Sequence, residues 1–367
     1  MMLPLNPGWC FATVVHQIEG AVGEDERGPS IWDTFSHLEP SRTNGDNGDI
    51  ACDRYHQYHE DLDLLAKYGA KAYRFSLSWS RIIPLGGRDD LVNEAGIAFH
   101  NKLIDGLPFR GINPWVTFES LGSTAGATRS MHRAPRAKHK VQCRCQGQSD
   151  NPVLDSWQVP RAARPYNMDF KVRQRGLISA SFDGDFFEPW DSAEPKDHEA
   201  ADRRMELYIG WFANAIMLTQ DYLADMRAQL GDLLSTCTEA EFALLREAEL
   251  SGIDWLRAAP LCFRKHLVRI YNKYRRPSYI TENGCPCPAE EKMSRRRVSL
   301  AEGTLDGAKV AGYFNWSLMD NFEGSSGYSV RFGLTFIDYD TPERTPKESA
   351  QRIRRVIKDR IEANRLP

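Results

Sequence analysis

The sequence contains no apolar run of the ~18 residues that a membrane-spanning helix needs. Its first residues, Met1 to Trp9, show no basic stretch followed by an apolar one, so no secretory signal is expected. A metal-ligand pattern is missing too. The eight cysteines are scattered, and the two close pairs, Cys143-Arg144-Cys145 and Cys285-Pro286-Cys287, have one intervening residue rather than two. No histidine pattern completes them as a zinc site. Reduced thiols, and hence a cytoplasmic location, are the expectation. Charge of one sign is also scarce. A formal net charge of −3 over 367 residues points to no polyanion, so neither nucleic acid nor a membrane surface is expected as a partner. No repeat in the 20–50-residue range suggests a solenoid.

One absence is local. Between Ser120 and Ser149 there is no Asp or Glu, while Arg129, Arg133, Arg136, Lys138, Lys140 and Arg144 are all basic. Hydrophobic periodicity vanishes there, and the text stays rich in Arg, Pro and Gln to about Arg175. A nucleic-acid patch would need aromatic interleaving or a binding fold, and neither is visible. An irregular stretch over 119–170 is the expectation.

What is present is an ordinary globular balance, 41% hydrophobic and 26% charged. Aromatics reach 11%, with nine Trp. Such rings fill cores and also stack on the apolar faces of sugars; for any single Trp the core is the commoner fate. The length suits one α/β barrel domain over 1–367. Helical spacing runs from Asp53 to Lys67, with Gly69 placed to end the helix. Helices are also expected over Asn93–Leu107, Asp197–Phe212 and Ser349–Ala363. Short buried-type strands are expected over Ala72–Ser78, Asn113–Phe118, Leu177–Phe182, Ser278–Thr281 and Val310–Trp316. Strands alternating with helices predict a parallel sheet with crossover helices. Glu282 ends one of these strands and precedes Asn283-Gly284, a turn pair. A glutamate so placed is more often a solvated loop residue, so position alone does not make it catalytic.

Longer motifs change that reading. The block Phe11-Ala12-Thr13, Gln17-Ile18-Glu19-Gly20-Ala21 and Arg27-Gly28-Pro29-Ser30-Ile31-Trp32-Asp33-Thr34-Phe35 resembles the first strand and loop of glycoside hydrolase family 1, the β-glucosidases. So does Ala51-Cys52-Asp53-Arg54-Tyr55-His56, leading to Tyr73-Arg74-Phe75-Ser76-Leu77-Ser78-Trp79-Ser80-Arg81-Ile82. Tyr279-Ile280-Thr281-Glu282-Asn283-Gly284 is similar to the family's nucleophile strand, and Gly312 to Glu323 to its last barrel strand. Arg331-Phe332-Gly333-Leu334 and Arg344-Thr345-Pro346-Lys347 continue the likeness.

The resemblance implies a (β/α)8 barrel and a retaining double displacement on β-D-glucosides, with no cofactor. It makes Glu282 the nucleophile, and Arg74 the cation beside it that keeps it ionised. It gives Gln17 and Glu323 to sugar hydroxyls and Trp316 to the platform beneath the ring, with Asn283 and Asn321 organising loops. A small β-glucoside or cello-oligosaccharide is the implied substrate, and cellulose degradation the implied setting; no oligomeric state follows.

Three departures stand out. Retention needs a second carboxyl about 5 Å from the nucleophile to serve as acid and base. The family's Thr-Phe-Asn-Glu-Pro motif, which carries it, is not found. Its His-Trp-Asp motif is missing too, since Val116-Thr117-Phe118 runs into Glu119-Ser120-Leu121. Glu119 and Glu188 are the weighed substitutes, and neither enters the expected catalytic set. Gly324 stands where the family carries a Trp. A barrel incomplete or distorted around the third and fourth strands is therefore expected, with impaired activity. The alternatives are a non-catalytic sugar-binding relative or a non-functional barrel.

Overall fold

The computed structural model describes residues 8–38, 43–85, 91–118, 179–183, 187, 189–205, 249–253, 260–284 and 308–363. Glu119, Glu188 and the stretch expected to be irregular, 119–170, lie outside the described residues. In chain order the elements are β1 (Gly8–Ala12), α1 (Val15–Ile18), α2 (Ile31–Ser36), α3 (Arg54–Tyr68), β2 (Ala72–Leu77), α4 (Trp79–Ile82), α5 (Glu94–Phe109), β3 (Asn113–Phe118) and β4 (Ser179–Asp183). There follow α6 (Pro195–Met205), β5 (Glu249–Ile253), α7 (Pro260–Tyr274), β6 (Ser278–Asn283), β7 (Val310–Trp316), β8 (Thr335–Ile337), β9 (Arg344–Pro346) and α8 (Glu348–Ala363). Strands therefore form on both sides of the aperiodic stretch. The chain divides into two compact units.

The first unit comprises Pro7–Gly147, Gly284–Arg296 and Phe314–Pro367. Its strands pair in parallel, β1 with β2 through Phe11–Tyr73 and Ala12–Arg74, and β2 with β3 from Ala72–Asn113 to Leu77–Phe118. Parallel neighbours need long crossovers, and α3 and α5 lie in those connections. Side chains alternate along β2. Tyr73 and Phe75, stacked at 5.4 Å, join the core formed with Leu62, Leu65 and Tyr68 of α3, Leu103 and Leu107 of α5, and Ile353 of α8. Arg74 and Ser76 point to the other face. A second cluster holds Ala12, Ala72, Phe314, Trp316 and Phe332, with Trp115 against it.

The helix ends follow from their sequences. Gly69, at φ +79°, closes α3 by donating its N–H to the Ala66 carbonyl at 3.0 Å, a left-handed cap that glycine adopts without strain. Asn93 opens α5, its Oδ1 accepting from Ala95 N at 3.1 Å and Gly96 N at 3.4 Å. The loop after α1 is pinned by Arg81, which is fully buried. Its Nε donates to Glu19 Oε1 at 2.7 Å, and its Nη2 to the Ala21 carbonyl at 3.0 Å.

The second unit comprises Met1–Asn6, Gln148–Asn283 and Arg297–Tyr313. β4 pairs in parallel with β5 from Ser179–Glu249 to Asp183–Ile253, and β5 with β6 at Ser251–Tyr279. α7 leads into β6, whose Tyr279, Ile280 and Thr281 are buried. The helix expected over 197–212 is described from Pro195 to Met205, and its remainder lies outside the described residues.

Candidate active site

In the first unit, three of the expected residues meet at one carboxylate. Gln17 sits on α1, the single turn that follows β1. Its Nε2 donates to Glu323 Oε2 at 3.3 Å. Trp316 is the last residue of β7, and its indole Nε1 donates to Glu323 Oε1 at 3.3 Å. Gln17, Trp316 and Glu323 are 7%, 4% and 8% exposed, so the carboxylate is held in a largely water-free setting where each N–H donor counts for more. Both oxygens are thus engaged, one by each donor.

The backbone reinforces this arrangement. Phe322 N donates to the Gln17 carbonyl at 3.0 Å, so the two segments are joined by main chain as well as side chain. After Glu323 the chain makes a 3-10 turn, Gly324–Ser326, closed by Gly327 N donating to the Gly324 carbonyl at 3.0 Å. Upstream, Asn321 is fully buried, and its Nδ2 donates to Ser317 Oγ and the Met319 carbonyl, each at 3.1 Å.

Sequence spacing did not reveal the support beneath this loop. Asp320 is fully buried and accepts from Arg331 Nη1 at 2.9 Å, Gly333 N at 2.9 Å and Lys347 Nζ at 2.8 Å. Cys52 Sγ donates to the Asp320 carbonyl at 3.1 Å. The signal existed in the runs around Arg331 and Lys347, but nothing local connects them to residue 320.

Arg74 lies mid-strand in β2 and is 9% exposed. Its register partners are Ala12 on β1 and Trp115 on β3.

In the second unit, Glu282 is half-buried and is the penultimate residue of β6, at its C-terminal end. Next to it, Asn283 Oδ1 accepts from the Tyr313 hydroxyl at 2.8 Å, which fixes the residue that opens the turn. Gly284, counted with the first unit, has no room for a side chain. A Cβ there would lie 2.0 Å from the carbonyl oxygen of Trp316. Among the described residues no group of three or more His, Cys, Asp or Glu is placed to hold a metal ion. No described helix is long and apolar enough to cross a membrane.

Known proteins share this framework. The β-glucosidase from Trichoderma harzianum superposes with a TM-score of 0.80 at 33% identity, over 98% of each chain. A family 1 β-glucosidase from Humicola insolens, solved in complex with glucose, superposes with a TM-score of 0.80 at 32% identity, again over 98% of each chain. The fold is accordingly α/β, of the (β/α)8 barrel class. Beta-glucosidase 1B of Phanerodontia chrysosporium is 35% identical over 457 aligned residues, covering 95% of this chain and 84% of that protein. The profile of glycosyl hydrolase family 1 matches residues 2–120 and 246–361. The chain belongs to glycosyl hydrolase family 1. The matched stretches include Gln17, Arg74, Glu282, Trp316 and Glu323.

Proposed function

We propose that the chain is a β-glucosidase-type O-glycosyl hydrolase that removes terminal β-D-glucosyl residues from small glucosides or cello-oligosaccharides by a retaining mechanism. The supporting observation is the Glu323 carboxylate, which draws one N–H from Gln17 and one from Trp316 in a buried setting. An acceptor flanked by an amide and an indole matches what a sugar ring offers: hydroxyls at its rim and an apolar face.

In this reading an oxygen of Glu282 bonds to the anomeric carbon as the bond to the leaving oxygen breaks. Water then attacks the same carbon and releases Glu282. Arg74 is the other residue assigned to the catalytic set. The whole chain is taken as one barrel domain working in the cytoplasm.

The acid that protonates the leaving oxygen has no counterpart in the sequence motif that carries it in the family. General acid help contributes about 10²–10⁴-fold, and aryl leaving groups depend on it least. Turnover of nitrophenyl β-glucosides is therefore expected to survive while cellobiose hydrolysis is very weak. Incubation with a fluorinated, activated glucoside followed by peptide mass spectrometry is expected to place the label on Glu282. A label elsewhere on folded protein would overturn Glu282 as the nucleophile, and cellobiose cleavage as fast as nitrophenyl glucoside cleavage would overturn the missing acid. The same missing motif favours a second reading, a sugar-binding relative that does not turn over. Calorimetry showing glucose binding without labelling or hydrolysis would select it.

A further inference from the structure

We infer that Trp32 forms the wall of the sugar pocket beside Glu323 and, with Gly324, sets which glycones the pocket accepts. This rests on the sugar-binding role proposed above for Gln17 and Glu323.

Two contacts bring Trp32 next to that pair. Its indole stacks on the ring of His16, the residue before Gln17, with centroids 4.7 Å apart and planes within 6°. Its Cη2–Cζ3 edge lies against Gly324, the residue after Glu323. Gln17 and Glu323 are hydrogen-bonded to each other, and the indole touches the chain neighbour of each. Trp32 is half-buried, so part of the ring stays reachable from outside.

Gly324 cannot supply this wall. Its φ is +54°, a conformation that side-chain-bearing residues rarely adopt, and a Cβ would sit 3.3 and 3.4 Å from Cη2 and Cζ3 of Trp32. The indole edge would have to give way slightly for a side chain to begin at 324. The indole beside this turn comes from a different element, α2.

That element holds the ring firmly. Asp33, the next residue, is hydrogen-bonded to Arg27 at 2.8 Å and completes a reciprocal cap with Ser30. Phe35 meets the indole edge-on at 5.7 Å. A rigid ring beside an anionic acceptor selects by shape: a hydroxyl aimed at the carboxylate is bound, and an epimer aimed at the ring is not.

The test is calorimetric titration of glucose and galactose into the wild-type protein and the variants Trp32→Ala, Trp32→Phe, Gly324→Ala and Glu323→Gln, each checked for an unchanged melt. Trp32→Ala is expected to weaken glucose binding about tenfold and to reduce the glucose-to-galactose preference. Trp32→Phe, which keeps a ring against His16, should restore most of both. Gly324→Ala, by displacing the indole, should move the preference the same way as Trp32→Ala. Should Trp32→Ala not fold, Trp32→Phe and Gly324→Ala decide the matter through the preference ratio. Wild-type affinities and ratio in all the Trp32 and Gly324 variants, with binding lost in Glu323→Gln, would overturn the role of Trp32 alone. Failure of the wild type to bind either sugar, or wild-type binding by Glu323→Gln, would overturn the pocket and this inference together.

Discussion

Glycine at 284 is dictated by one carbonyl oxygen. The backbone two residues past Glu282 presses on the carbonyl of Trp316 so closely that a Cβ would come within 2.0 Å of it. A carbonyl fixed at the end of a strand cannot swing aside as a flexible side chain would. Gly284→Ala is therefore expected to cost about 1–3 kcal/mol, the usual range for overpacking a tight site. Gly23→Ala is the control: nothing lies within 4 Å of a Cβ there, and its backbone angle needs no glycine. That variant should leave stability within about 0.5 kcal/mol of the parent, the usual scatter for surface changes. Urea unfolding of the three proteins checks both values, and equal losses in the two variants would remove the carbonyl from the explanation.

Among the elements, α2 shows how little sequence can hold an important ring. It is six residues long, too short to be stable by propensity alone. Its start is a reciprocal cap in which Ser30 Oγ accepts from Asp33 N at 3.2 Å and Asp33 accepts from Ser30 N. Ser30→Ala should cost about 1 kcal/mol in denaturant unfolding, typical of a lost cap. A change below about 0.3 kcal/mol would show that the Asp33 side chain, through Arg27 and the backbone N–H of residue 30, holds the helix start without the Ser30 hydroxyl.

The long elements were legible because their apolar residues keep a period. α3 was expected at 53–67 and runs Arg54–Tyr68, and α8 was expected at 349–363 and runs Glu348–Ala363. α1 was not foreseen, since four residues hold no period to detect. The cap that starts α2 was written in Ser30 and Asp33, yet no hydrophobic repeat follows to draw attention to it. The place of Glu282, at a strand end followed by a turn pair, was legible from its local setting, while the role expected of it came only from the longer motifs. The links from Glu323 to Gln17, and from Asp320 to Lys347, were not. They join distant segments, and spacing carries no information about which distant segments meet.

For the molecule as a whole, the protonation of buried histidine shapes stability. His100 is buried, its Nε2 accepts from Ser78 N at 3.2 Å, and burial together with the Arg81 and Arg54 guanidiniums pushes its pKa down to about 3. In the unfolded chain the same ring titrates near ~6.5. Below that value the unfolded state takes up a proton that the folded state refuses, so stability falls as pH drops, by up to about 1.4 kcal/mol per unit. His56 acts in the opposite sense. Its hydrogen bond to Asp53 raises its pKa, so its contribution is present at low pH and lost as pH rises through the folded value. At 49% side-chain exposure that effect is small. Urea midpoints are therefore expected to fall between about pH 6.5 and 5, above the ordinary carboxylate range. His100→Gln, whose amide oxygen can still accept from Ser78, should flatten that window. A wild-type profile that is flat there would contradict the assignment.

The hydrogen bond between Gln17 and Glu323 spans 306 positions of chain. At a synthesis rate of roughly 5–20 residues per second, about 15–60 s separate the emergence of the two partners. A nascent chain thus carries its amide through most of translation before the carboxylate exists. A message cut short between codons 316 and 323 yields a product in which Gln17 and Trp316 have nothing to converge on.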